Sequence, residues 1–384
     1  MKISYCAHAK IPSREANSIH VMKMCYALSQ IKDVVVELIV PKSTVATNNP
    51  YEFYGVDNTF KIHYKRWPRV KAGVLLYSLS ILLFLLKDRK QWVYGRDLTT
   101  CFFSSVFGFR TIWESHTPVS NLGKFYEFLF KLMVRQRSLI KIVVISNNLK
   151  SHYVNKYKID NDRIIVLPDC SDVVDLSKNC FKPMNNKGRN FSVGYIGQLY
   201  PGKGMEIISQ LIPLCKDVMF HIVGGNDSDI EYWKKRLGNE DNILFHGFVK
   251  PADIPLYGMN VDALIAPYLN KVQGAGSSLL KNNLSQWMSP LKLFEYMSYK
   301  KPIIASDLPV LHDVLHSGNS LMCNPDNIDE WCRAIHLLSA NKELRLKLAE
   351  CAYTEFLNNY TWIKRAERIV SIYTASVSNN IDIK

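Results

Sequence analysis

No long hydrophobic run is present. The apolar stretch over residues 72–86 stops at 15 residues, short of the ~20 that a membrane-crossing helix requires. Nine cysteines are scattered without short paired spacing, so neither a disulfide framework nor a zinc motif is indicated. No signal-peptide pattern opens the chain: residues 1–9 read as a strand followed by a polar loop. Internal repeats at solenoid spacing are lacking too. Acidic residues are the scarce charge, 34 against 48 basic ones. The shortage is one-sided, with 26 bases against 14 acids over residues 1–180 and 22 against 20 beyond. A basic half suggests an anionic surface. The bases are not interleaved with aromatics as in a nucleic-acid module, and no nucleic-acid partner is expected. Arg66-Trp67-Pro68-Arg69-Val70-Lys71 precedes the apolar run and Lys87-Asp88-Arg89-Lys90 follows it. That pattern fits an interfacial helix on the anionic inner leaflet of a membrane, or an ordinary buried helix. The expected location is the cytoplasm, peripheral on the inner face of the plasma membrane.

At 384 residues, two domains are the default. Strand-like runs at residues 2–7, 34–40, 110–114, 141–145, 217–223, 242–245, 262–266 and 302–305 alternate with helical patterns. The alternation predicts α/β architecture, with parallel sheets covered on both faces. Residues 177–190, rich in Lys, Asn and Gly, read as a linker. The boundaries drawn are 1–180, 191–362 and a terminal helix and tail over 363–384.

Two stretches carry chemistry. In Ser289-Pro290-Leu291-Lys292-Leu293-Phe294-Glu295-Tyr296-Met297, Ser289 reads as an N-cap and Pro290 as the first helical residue. Such a helix start offers free amides, Leu291 first, and a positive dipole end to a phosphate. Lys292 and Glu295 share a face one turn in. A cation beside the phosphate and a carboxylate for vicinal hydroxyls suit a nucleoside diphosphate; a surface ion pair on a capped helix would read the same. The second stretch is a buried strand, residues 191–196, then Gly197-Gln198-Leu199-Tyr200-Pro201-Gly202-Lys203-Gly204 and a helix over 205–214. Strand, glycine loop with lysine, then helix is a phosphate-binding order. Gly204 stands where a P-loop needs Ser or Thr for Mg²⁺, which excludes that motif.

Taken together these stretches resemble the family 4 retaining glycosyltransferases of the GT-B fold, in their bacterial surface-polysaccharide branch. The resemblance covers most of the chain. It extends to Ile11-Pro12-Ser13-Arg14-Glu15-Ala16-Asn17-Ser18-Ile19-His20, Trp113-Glu114-Ser115-His116, Val144-Ile145-Ser146-Asn147, Leu167-Pro168-Asp169, Phe245-His246-Gly247 and Tyr360-Thr361-Trp362-Ile363-Lys364-Arg365-Ala366. It implies two Rossmann-like domains whose parallel sheets face a central cleft, the last helix returning to the first domain. It further implies sugar transfer from a UDP- or GDP-linked donor to a lipid-linked saccharide, in capsule, O-antigen or lipopolysaccharide assembly.

By that resemblance Gly197, Gln198, Gly202, Lys203, Ser289, Leu291, Lys292 and Glu295 would bind the donor. Lys203 and Glu295 would act in catalysis together with His116, which touches the donor sugar or helps the acceptor. Arg14, Asn17 and Ser18 would orient the leaving phosphate or the acceptor, although helix capping would also explain Asn17 and Ser18. Arg96 follows the strand at 92–94 and by topology faces the same cleft as an acceptor contact. Asp227-Ser228-Asp229 imitates a metal-binding motif of another transferase fold, but helix capping explains it better. No catalytic metal or other cofactor is expected. Two positions depart from the family: Gln198 replaces a usual arginine, and Trp287 stands where a paired glutamate is common. Residues 270–286, with Gly274, Gly276, Ser277, Ser278, Asn282 and Asn283, could supply the missing contacts. The alternatives are a GT-B nucleotide-sugar epimerase and a non-catalytic nucleotide-sugar-binding subunit.

Overall fold

The computed structural model describes all residues except 14, 43–48, 69, 71, 178–183, 274–282 and 379–384. Two units emerge. The first joins Met1–Pro168 to Trp362–Lys384, and the second is Asp169–Thr361. The division falls at Pro168/Asp169 rather than at residue 180. Composition marks where the chain turns polar, which need not be where its packing partners change.

In the first unit the strands are β1 (Lys2–Cys6), β2 (Val35–Pro41), β3 (Lys61–Lys65), β4 (Trp92–Gly95), β5 (Thr111–Ser115), β6 (Leu139–Val144) and β7 (Ile164–Val166). They form one parallel sheet in the order β3-β2-β1-β4-β5-β6-β7. Around it lie α1 (Ala16–Ser29), α2 (Pro50–Tyr54), α3 (Gly73–Leu85), α4 (Leu98–Val106), α5 (Lys124–Val134) and α6 (Asn147–Tyr157). Buried on both faces, the central strands β4 and β5 are enclosed throughout, as parallel strands between helix layers must be. Edge strand β3, KIHYK, stays half-open, and its charged, short sequence hid it from pattern reading.

The second unit repeats the plan with β8 (Phe191–Ile196), β9 (Val218–Val223), β10 (Ile243–Gly247), β11 (Ala263–Ala266), β12 (Ile303–Ser306) and β13 (Leu321–Cys323). Their order is β10-β9-β8-β11-β12-β13, all parallel. Its helices are α7 (Met205–Leu214), α8 (Asp227–Leu237), α9 (Pro255–Gly258), α10 (Leu291–Ser298), α11 (Ile328–Ala340) and α12 (Lys342–Asn359). Both sheets reverse direction of growth once, between β1 and β4 and between β8 and β11. In such sheets ligands bind beyond the carboxyl ends of the strands at that switch point. There the first unit places the loops after β1 and β4, and the second the loop after β8.

The terminal helix, α13 (Trp362–Ser378), belongs to the first unit. Tyr373 donates from its hydroxyl to the Val93 carbonyl at 2.6 Å and meets the Trp92 ring edge-on at 4.3 Å.

Candidate functional site

In the second unit the loop after β8 turns on glycines. Gly202 has φ +79, and a Cβ there would stand 1.9 Å from the Lys271 carbonyl oxygen, so no other residue fits. The loop is pinned by Leu269 N–H donating to the Gly202 carbonyl and Gln273 N–H donating to the Pro201 carbonyl, at 3.0 and 3.1 Å. A side chain at Gly197 would come within 3.2 Å of Lys292 Nζ. Gln198 lends its carbonyl to the Tyr195 hydroxyl at 2.7 Å.

The loop and α10 bring Lys203 and Lys292 together against one ring. Lys203 Nζ lies 5.8 Å and Lys292 Nζ 5.0 Å from the Tyr268 centroid. Lys292 Nζ also sits 3.8 Å over Tyr195. Lys292 is buried, not on a surface, and its Nζ has no hydrogen-bond partner among the described residues. Burial, then the charge of Lys203, holds Lys292 well below the usual lysine range, against the pull of Glu295. Burial alone lowers Lys203 to about 8. Two desolvated cations side by side are unfavourable unless an anion joins them.

Ser289 does not cap α10. Its hydroxyl accepts from Asp169 N–H at 2.9 Å, and Pro290 takes the N-cap position in extended conformation, with no side chain capping the helix. Leu291 therefore opens a helix end free of a side-chain cap. Trp287 N–H donates to the Leu284 carbonyl at 3.0 Å. Gly274, Gly276, Ser277, Ser278 and Asn282 lie outside the described residues. Asn283 is spent on its own loop, bonding Val272 N–H and the Asn270 carbonyl, both at 3.0 Å. The cap of α8 is Asn226, which accepts from Asp229 N–H at 2.8 Å. Asp227 and Asp229 occupy the first turn instead, where acids suit the dipole.

In the first unit, His116 follows β5 with its Nε2 2.5 Å from Glu114 Oε1. His20 Nε2 approaches the same oxygen at 3.0 Å. The other oxygen meets Arg365 Nη1 at 3.1 Å and accepts from the Tyr94 hydroxyl. Burial would push Glu114 up, but Arg365 and then His20 outweigh it and hold the carboxyl well below its usual range. An ionised Glu114 thus fixes the ring of His116. Glu114, His20 and Arg365 all lie within the motifs that carry the resemblance, but their spacing gives no sign of the partnership. An acid inside a strand buried on both faces was the available signal.

Arg96 follows β4 and its Nη1 is buried without a hydrogen-bond partner among the described residues. Its neighbour Asp97 caps α4 and lies 3.2 Å from His8 Nε2. Ser18 is buried, its hydroxyl bonded to Ser13 and to the Glu15 carbonyl. Asn17 Nδ2 reaches the His8 carbonyl at 3.4 Å. Neither caps α1, whose N-cap is Glu15 without a side-chain bond. Arg14 lies outside the described residues.

The family described as "Glycosyl transferases group 1" matches residues 190–341. Spore coat protein SA of Bacillus subtilis is 27% identical over 196 residues, 47% of each chain. The O-antigen chain mannosyltransferase RfbU of Salmonella typhimurium is 24% identical over 223 residues, 57% of this chain and 56% of that one. The chain spans about half the length of these curated relatives. Among solved structures, HepE of Anabaena in complex with UDP superposes with TM-score 0.72 at 14% identity, covering 98% of this chain and 100% of that one. WaaG, a glycosyltransferase involved in lipopolysaccharide biosynthesis, gives TM-score 0.64 at 12% identity, covering 96% and 99%. At these identities the structural likeness speaks for the fold. The chain thus has the two-unit GT-B fold, and its residues 190–341 are similar to the glycosyl transferases group 1 family.

Proposed function

We propose that the protein is a family 4 retaining glycosyltransferase that moves a sugar from a UDP- or GDP-linked donor to a lipid-linked saccharide in bacterial capsule, O-antigen or lipopolysaccharide assembly. The observation that carries the reading is the pair of desolvated lysines, half-buried Lys203 and buried Lys292, at the carboxyl end of β8. A diphosphate supplies the negative charge this pair lacks, and it does so most fully as the sugar–phosphate bond breaks and charge builds on the leaving oxygen. The uncapped start of α10 adds amides for the terminal phosphate. Glu295, one turn on, is assigned the ribose hydroxyls. The departing phosphate oxygen would take the acceptor proton on the same face, giving retention. On the first unit, Arg96 is the unsatisfied cation for an anionic acceptor, with His116 oriented by Glu114.

The membrane part of the reading rests on α3. It buries Tyr77, Ile81, Leu82 and Leu85 yet exposes Leu76, Leu79 and Leu83 by 47%, 42% and 60%. Helix α5, which packs against α4 as α3 does, exposes Phe125 and Phe128. Lys65, Arg66, Lys87, Arg89 and Lys90 flank α3; Arg69 and Lys71 lie outside the described residues. Among the described residues no helix is long and apolar enough to cross a membrane. An apolar stripe with basic flanks suits shallow insertion into an anionic surface.

The test is a screen of purified UDP- and GDP-sugars, read by release of nucleoside diphosphate with and without membrane-extracted acceptor. Release with one donor class, stimulated by acceptor, is expected. Failure of every donor to bind or turn over would overturn the proposal.

A further inference from the structure

Cys215, Cys332 and His336 converge in the second unit although nothing in their sequence spacing suggests it. Cys215 closes α7 and is buried; Cys332 and His336 stand one turn apart on one face of α11. The two sulfurs are 3.1 Å apart, and Cys332 Sγ lies 3.9 Å from His336 Nδ1. All three atoms fall within 4.8 Å of one another. We infer that this cluster is a binding site for one soft divalent cation of the zinc class.

The imidazole orientation supports the inference. Asp217 Oδ1 lies 3.2 Å from His336 Nε2. A carboxylate can only accept the hydrogen bond, so Nε2 carries the proton and the Nδ1 lone pair is left turned to the sulfurs. Metal-ligating histidines are held in this way by a carboxylate on the other ring nitrogen. Tetrahedral zinc with bonds of about 2.3 Å to sulfur sets two sulfurs about 3.8 Å apart, so a small rotation of the half-buried Cys332 suffices. The present sulfur separation is too long for a disulfide, whose bond is about 2.05 Å. The ion replaces the two thiol protons, releasing two H⁺ as two metal–sulfur bonds and one metal–nitrogen bond form. Partly exposed His336 and Asp217 leave a fourth position to water. The site ties the C-terminal end of α7 to α11. Lys203 precedes the other end of α7, and a ten-residue helix is about 15 Å long, so this site is separate from the lysine pair.

The experiment uses the full chain, reduced without added thiol. Titration with Co²⁺ should reach one equivalent with thiolate-to-cobalt charge-transfer absorption, which Zn²⁺ then bleaches while the melting temperature rises. Cys332→Ser should remove the absorption. Asp217→Asn should weaken Co²⁺ affinity 10- to 100-fold while keeping the absorption at saturation. Circular dichroism confirms that both variants fold. Absence of the absorption in the parent, its full retention in Cys332→Ser, or Cys215–Cys332 disulfide formation in preference to metal uptake would overturn the inference.

Discussion

Arg365 Nη1 stands 3.1 Å from Glu114 Oε2, joining residues 251 positions apart inside one unit, with both side chains essentially solvent-free. The same guanidinium donates to the Tyr94 hydroxyl and to the carbonyls of Leu167 and Pro168. Every strong polar group in this knot is answered by another, so removing either charge strands the other. Arg365→Met should lower unfolding free energy by about 3–5 kcal/mol in denaturant titration. A change under about 0.5 kcal/mol would show that the pair is not the anchor of α13.

The lysine pair sets binding against stability. Lys292→Met keeps length and burial but removes an unpaired buried cation. The free protein should melt at the same temperature or higher. Its affinity for UDP or GDP should drop by roughly 1.5–3 kcal/mol in calorimetry. Lys203→Ala and Glu295→Ala should each weaken the same binding. Unchanged affinity in all three variants would remove the proposed donor site.

Proton linkage follows from Lys203, which titrates at about 8 in the free protein because burial lowers it. A bound diphosphate favours the charged form and raises that value. Well below pH 8 Lys203 is already protonated and contributes no pH dependence. Above pH 8 binding must take up a proton, so affinity falls by up to about tenfold per pH unit. Calorimetry in buffers of different ionisation enthalpy would detect that proton, and Lys203→Arg should lose the dependence.

His221 offers a separate pH test. Its Nε2 donates to Asn186 Oδ1 at 2.9 Å, and its Nδ1 accepts from His246 at 3.0 Å. Burial, then His246, lowers it to about 4. The unfolded chain would bind the proton near 6.5, so acidification from about 6.5 to 4 favours unfolding. The loss should be about 2 kcal/mol once solvent screening is allowed for. His221→Gln should flatten that part of the stability profile; an identical slope in parent and variant rules out His221 as the titrating group.

Membrane attachment should fail in two distinguishable ways. Raised salt, or neutralising Lys65, Arg66, Lys87, Arg89 and Lys90, should release the protein from anionic vesicles. Leu79→Asn with Leu83→Asn should weaken binding even at low salt, since shallow insertion needs that stripe. Co-sedimentation equal to the parent in both variants would make α3 an ordinary surface helix.

Much of the fold was legible because parallel strands buried on both faces write themselves as unbroken apolar runs, as β8 does at Phe191–Ile196, and because α7 at Met205–Leu214 shows a helical apolar period. Three-residue strands such as β7 and β13 are too short to show a period. The lysine loop and α10 were legible because glycine and helix-start chemistry are local. The partnership of Glu114 with Arg365, and that of Cys215 with Cys332, is made by chain reversal and leaves no trace in spacing. Ser289 was misread as a cap for the same reason: its real partner, Asp169, is 120 positions away.

The first unit is assembled from two pieces of chain with the whole second unit between them, and this sets an order of events at the ribosome. When Pro168 has just emerged, all seven strands of the first sheet exist but Glu114 has no guanidinium and Trp92 no Tyr373. The second unit, being one continuous stretch, meets no such wait. Contacts between the distant ends of a chain close late. A nascent chain stalled before Trp362 should therefore carry a protease-resistant second unit beside a first unit that is still being cut.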